Sequence, residues 1–117
     1  MPRNNNLGRR GEDLAVEHLI AAGYDIVDRN WRSSMGEIDI VARERRTTVV
    51  VEVKTRSGLG FGHPLAAVTP VKLARLRRLA GAWCAEHGPV ESLRVDVIGV
   101  IIEPDGGARI EHVEQAG

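Results

Sequence analysis

The order of apolar patterns along this chain predicts an α/β sandwich, in which two helices cover the faces of a central mixed β-sheet. Three observations carry the prediction. Segments 7–22 and 70–87 have helical periodicity, and three strand-like runs at 24–29, 36–43 and 47–55 lie between them. Strand-like residues return at 93–102 and again near 108–113, so a strand–helix–strand crossover brings the chain back to the sheet. Every connection is short or rich in glycine and proline.

Each element has a local reason. The first helix, 7–22, ends at Gly23 and has Asn6 or an earlier asparagine as its N-cap. Along it Glu12, Ala15, Leu19 and Ala22 fall on one stripe, so Glu12 points toward the sheet and Glu17 does not. Arg43-Glu44-Arg45-Arg46 is polar and joins two runs rich in β-branched residues, which reads as a hairpin. Thr69-Pro70 supplies an N-cap and a first-turn proline for the second helix, whose apolar face carries Leu73, Leu76, Ala80 and Trp83. Pro104-Asp105-Gly106-Gly107 turns the chain into the last strand. Between Arg56 and Pro64 three glycines deny regular structure and predict a mobile surface loop, in which Arg56 meets a phosphate and Phe61 wedges at a distorted backbone.

The chemistry concentrates in two strands. Thr47-Thr48-Val49-Val50-Val51-Glu52-Val53-Lys54-Thr55 is a valine-rich run holding a carboxylate and an ammonium two residues apart, and alternation puts both on one face. Gly36-Glu37-Ile38-Asp39-Ile40-Val41 adds two acids. A tight turn centred on Arg45-Arg46 opposes Asp39 to Glu52 and Glu37 to Lys54, all on one face, with Ile38, Ile40, Val51 and Val53 on the other. A longer loop would shift that register, since arginine disfavours φ > 0. Clustered carboxylates raise one another's pKa and are reconciled by a divalent cation; oxygen ligands select Mg²⁺ or Mn²⁺. An adjacent lysine suits activation of water and stabilisation of charge on a phosphate. Spacing alone supports equally a half-exposed charge ladder, Glu52 and Lys54 pairing with Glu37 and Asp39.

Asp39 followed on the next strand by Glu52-Val53-Lys54 resembles the D…E-x-K signature of the PD-(D/E)xK nuclease superfamily, with Ile38 where the signature has proline. Gly8-Arg9-Arg10-Gly11-Glu12-Asp13-Leu14-Ala15, Arg29-Asn30-Trp31-Arg32, Gly36-Glu37-Ile38-Asp39, Val51-Glu52-Val53-Lys54-Thr55-Arg56 and Ala67-Val68-Thr69-Pro70-Val71-Lys72 are together similar to the YraN-like family of uncharacterised, Holliday-junction-resolvase-like bacterial proteins. The resemblance implies a restriction-endonuclease-like α/β/α sandwich and a metal-dependent endonuclease acting on DNA, including branched or repair intermediates. It implies that Asp39, Glu52 and the Val53 carbonyl hold the metal, that Lys54 is catalytic, and that Glu12 assists through water. The alternatives are a non-catalytic nucleic-acid-binding module and an accessory subunit of a larger DNA-processing complex.

Composition bounds these readings. At 117 residues the chain is expected to be a single domain, 1–117, with 103–117 an acidic strand and tail. Aromatic content of 3% argues against base stacking as the main grip on nucleic acid, so binding should be electrostatic. The formal net charge is zero, yet cations gather at Arg3, Arg9 and Arg10 and at Lys72, Arg75, Arg77 and Arg78. Arg9, Arg10, Arg56, Lys72 and Arg75 are the candidate phosphate contacts. A homodimer would suit paired incisions at a junction. Cys84 reads as a small core residue, the histidines show no metal spacing, and Asp96 reads as the partner of a local amide or arginine. With neither a membrane-spanning stretch nor a signal-peptide pattern, a cytoplasmic location and no membrane partner are expected.

Overall fold

The sheet is built in chain order. The computed structural model describes residues 6–58 and 62–114; Arg3, Phe61 and any N-cap before Asn6 lie outside them. Helix α1 (Asn6–Ala21) precedes β1 (Asp25–Ser33), β2 (Gly36–Glu44) and β3 (Thr47–Ser57). A 3-10 turn at Pro64–Ala67 leads into α2 (Pro70–His87), followed by β4 (Ser92–Ile102) and β5 (Ala108–Val113). Strands neighbour one another in the order β1-β2-β3-β4-β5. All pairs are antiparallel except β3 and β4, which run parallel because α2 carries the chain across between them. The result is an α/β/α sandwich with a mixed sheet, compatible with the restriction-endonuclease-like fold. No described helix is long and apolar enough to cross a membrane.

The two helices cover opposite faces. On the α1 side Ala15, Leu19 and Tyr24 bury Ile40, Val49, Val51 and Ile98. On the α2 side Leu76, Leu79, Ala80 and Trp83 bury Ile38, Val41, Val50 and Val95. Each fully buried aliphatic side chain contributes about 1.5–3 kcal/mol, so the central strands, apolar on both faces, dominate cohesion. The N-cap of α2 follows the sequence reading, Thr69 Oγ1 accepting the N–H of Lys72 at 3.2 Å; at the other end Gly88, at φ 107°, stops the helix by donating its N–H to Cys84 O at 2.7 Å.

Three details depart from the sequence reading. Strand β1 continues past residue 29 to Ser33, because pairing of Trp31 with Ile38 and Ser33 with Gly36 carries it beyond Asn30. Arg56 and Ser57, expected in the glycine-containing loop, complete β3, and a 3-10 turn at Pro64–Ala67 follows that loop, fixed by His63 Nδ1 accepting the N–H of Leu65 at 3.2 Å. The hairpin register is as expected, Ile40 facing Val51 and Glu44 facing Thr47, with Arg45 at φ 57° in a two-residue turn. The apolar residues nevertheless divide between the faces: Ile38 turns toward α2, whereas Ile40, Val51 and Val53 turn toward α1. Alternation therefore changes phase at Asp39.

Helix α1 approaches the sheet most closely at Gly11. A Cβ at that position would stand 1.9 Å from Thr55 Oγ1, so only glycine lets the helix lie this near β3. Gly11→Ala is expected to cost about 1–3 kcal/mol by overpacking. Thermal unfolding should show the loss, and a second substitution, Thr55→Ala, should restore part of it.

Candidate active site

Asp39 sits where the strands part. The β2–β3 ladder runs from Glu44 opposite Thr47 to Ile40 opposite Val51 and stops there. The next N–H, of Val53, is taken at 2.8 Å by Asp39 Oδ2 instead of by a strand carbonyl. The carboxylate thus replaces a ladder acceptor and holds the fork open. Across β1 the ladder likewise joins Arg29 to Ile40 and Trp31 to Ile38, passing over Asn30 and Asp39.

A cleft of about 750 Å³ opens at this fork, lined by Glu12 and Arg9 from α1, Arg29, Asn30 and Arg32 from β1, Glu37 and Asp39 from β2, and Val53, Lys54 and Arg56 from β3. Glu12 is held from one side: its Oε1 accepts Arg29 Nε at 3.2 Å, a terminal Arg29 nitrogen at 2.8 Å and Asn30 Nδ2 at 3.0 Å. The same arginine reaches Asp13 at 2.8 Å, and these two acids raise its basicity further. A smaller recess of about 180 Å³ adjoins beneath α2, where Glu52 and Lys54 meet Glu37, Lys72 and Arg75. Lys54 Nζ lies 3.4 Å from Glu52 Oε2.

The four charged residues expected on one face therefore straddle the fork. Glu52 and Lys54 open toward α2, Asp39 opens toward the cleft with Glu12, and Glu37 and Lys54 border both cavities. The phase change at Asp39 is the cause. Of the residues singled out from sequence, Glu12, Asp39, Val53, Lys54, Arg9 and Arg56 line the cleft, and Glu52, Lys72 and Arg75 line the recess beside it. Arg10 goes elsewhere, donating to the Gly106 carbonyl in the β4–β5 turn, so its expected phosphate contact finds no support in this geometry. Sequence reasoning missed Arg29, Asn30 and Arg32 as cleft residues. Their signal was present in the block Arg29-Asn30-Trp31-Arg32, but their partners lie on other elements.

The electrostatics are those of crowded acids. Burial pushes the Asp39 carboxyl up to about 7; Glu52, Glu12 and Glu37 add to the rise, and the Val53 N–H opposes it. Among the described residues no group of three His, Cys, Asp or Glu side chains converges closely enough to enclose a metal. Mg²⁺ and similar cations are commonly held by one or two carboxylates, with water and substrate oxygens completing the shell; Asp39 and Glu52 line different cavities, yet the charge of Glu52 reaches Asp39 across the fork. The cleft also holds an orphan donor: Arg56 Nε is buried without a hydrogen-bond partner among the described residues.

The other charged centre of the sheet is complete in itself. Asp96, fully buried, accepts Arg94 Nε at 2.9 Å, a terminal Arg94 nitrogen at 3.0 Å and His112 Nε2 at 2.7 Å. His112 Nδ1 lies 3.2 Å from His18 Nε2, and burial, then His112, holds the His18 pKa below its ordinary value. Asp96 is thus the partner of a local arginine, as its pattern suggested, and ties β5 to the core.

Fold and cleft together define an α/β/α protein with an acid-and-arginine cleft at a sheet fork. The chain belongs to the uncharacterised protein family UPF0102, whose model matches residues 11–100. It is 54% identical over 120 residues to a UPF0102 protein of Clavibacter michiganensis subsp. michiganensis, covering 99% of each chain. A UPF0102 protein of Leifsonia xyli subsp. xyli is 51% identical over 114 residues, 97% of each chain, and one of Streptomyces griseus subsp. griseus is 52% identical over 108, 91% of each.

Asp39 gives the metal-free protein a defined pH dependence. Its carboxyl binds a proton near pH 7 when folded and near 3.8 in its ordinary state, so between those values the folded chain holds more protons. Stability from this group is greatest below the lower value, falls as pH rises, and reaches its full penalty above about 7. Asp39→Asn should therefore be more stable than wild type at pH 8, by about 2–4 kcal/mol, with the difference shrinking toward pH 5. Urea unfolding across that range measures it.

Proposed function

We propose that this protein is a metal-dependent endonuclease that hydrolyses DNA phosphodiester bonds. The observation that carries the reading is the pairing of Asp39, its pKa pushed up to about 7 by burial and by Glu52, with Lys54 at 3.4 Å from that same Glu52. A carboxylate this disfavoured in its charged form has its cost offset when a cation sits between it and its neighbour. The PD-(D/E)xK pattern supports the same assignment, residue by residue: Asp39, Glu52 and Lys54.

Asp39, Glu52 and the Val53 carbonyl would hold Mg²⁺ or Mn²⁺, with Glu12 assisting through water. A divalent ion so held supplies Lewis-acid polarisation of the phosphate and lowers the pKa of water. Lys54 orients the attacking water and stabilises negative charge growing on the phosphate as the bond to the leaving oxygen breaks. Arg56 and Arg9 line the same wall and offer their guanidinium groups to phosphate oxygens. Lys72 and Arg75, beside Glu52, serve the flanking phosphates. Branched or repair intermediates are the proposed substrates, cut by a homodimer or within a larger DNA-processing complex.

The test uses labelled duplex, flap and four-way-junction DNA in Mn²⁺ or Mg²⁺. Cleavage should vanish in EDTA and fall by about 10²- to 10⁴-fold in Lys54→Ala. Undiminished cleavage by Lys54→Ala would reject the assignment, and tight binding without cleavage would favour a non-catalytic module or accessory subunit.

A further inference from the structure

Asn30 occupies a conformation that a strand residue rarely adopts. Its φ of 54° falls in the middle of β1, and no glycine relieves it. Asparagine is the cheapest non-glycine residue there, yet left-handed backbone within a strand persists only when its surroundings fix it, and such residues cluster at working sites. Three observations identify what fixes this one.

The β1–β2 ladder passes over Asn30 and Asp39 while pairing the residues on either side, Arg29 with Ile40 and Trp31 with Ile38. At the same point both strands change phase. Arg29 and Ile40 face α1, whereas Trp31 and Ile38 face α2, where Trp31 Nε1 donates to Glu86 Oε2 at 3.0 Å. Third, the Asn30 side chain does not follow the alternation: it turns back beside Arg29 and donates Nδ2 to Glu12 Oε1 at 3.0 Å. The block Arg29-Asn30-Trp31-Arg32 thereby acquires a physical role. Arg29 and Asn30 hold Glu12, Arg32 reaches Glu37 at 3.3 Å, and the left-handed step between them lets Asp39 open into the cleft that Glu12 faces.

We infer that Asn30 is a positioning residue for the carboxylate cleft: its left-handed backbone sets the phase that brings Asp39 to Glu12, and its amide fixes the Glu12 carboxylate for the cation. The inference rests on the metal-binding reading proposed above. It assigns Asn30 no contact with substrate. It separates two contributions, backbone and amide, that different substitutions remove.

Mn²⁺ affinity, measured by calorimetry on the full chain without DNA, reads the amide. Asn30→Gly keeps the left-handed backbone and removes the donor. It should melt close to wild type but bind Mn²⁺ about 10- to 100-fold more weakly, the range for partners that orient a metal ligand. In a Glu12→Gln background the same substitution should cause no further loss, because its effect passes through Glu12. Asn30→Ala, strained as well as donorless, should also lower the melting temperature. Glu12→Asp leaves β1 untouched and withdraws the carboxylate from the amide, so it should reproduce the loss of affinity even if a β1 variant folds poorly. Affinity within twofold of wild type for folded Asn30→Gly overturns the role of the Asn30 amide, as does full additivity with Glu12→Gln. Failure of the wild-type protein to bind Mn²⁺ overturns the metal reading itself.

Discussion

The site depends on one hydrogen bond, from the N–H of Val53 to the carboxylate of Asp39. A β-hairpin with apolar residues on both faces would normally zip to its end, and its polar tip would fray into solvent. Here an aspartate takes the place of the next backbone acceptor, so β2 and β3 stay connected while their ladder stops. That substitution parts the strands without orphaning an N–H. Glu52 and Lys54 emerge on one side of the parting and Asp39 on the other.

Why the acids tolerate one another follows from their partners. Arg29 neutralises Glu12 and Asp13, Arg32 pairs with Glu37, and Lys54 stands beside Glu52. Asp39 accepts the backbone N–H of Val53, and its carboxyl is the one whose pKa rises to about 7. The contrast with Asp96 is instructive. That carboxylate is more deeply buried, yet Arg94 and His112 surround it, and Arg94 is held protonated above even its ordinary range, chiefly by that hydrogen bond. Two aspartates on one sheet, one half-buried and one fully buried, thus have opposite environments. The satisfied one anchors β5, and the strained one faces a cleft.

Element order and the hairpin register were legible in the sequence because both rest on local signals. Helix α2 begins where Thr69-Pro70 requires, and a two-residue turn at Arg45-Arg46 makes Ile40 face Val51. The faces of Ile38 and Asp39 were not legible. Strict alternation assigns Ile38 to the side of Ile40, but alternation holds only for continuous extended backbone, and Asn30, on the neighbouring strand, interrupts it. Arg10 illustrates a different limit. Its charge placed it among phosphate contacts, whereas its direction is set by α1 and by the carbonyl of Gly106, far away in sequence. Glu12 was legible for the opposite reason: helical spacing from Ala15 and Leu19 fixes the stripe on which it lies.

The depth of that stripe is set by a residue with no chemistry. Gly11 brings the α1 backbone against Thr55, one residue beyond Lys54, so the first turns of the helix descend to the level of the fork. A bulkier residue would lift the helix and carry Glu12 away from Asp39. Moving Glu12 outward would also loosen Arg29 and Asn30, whose donors converge on its Oε1. Helix depth, strand phase and carboxylate position are therefore coupled through Glu12. The residue between the invading helix and the kinked strand has little freedom to move, and this rigidity is what a site built from repelling carboxylates needs if a cation is to find them already in place.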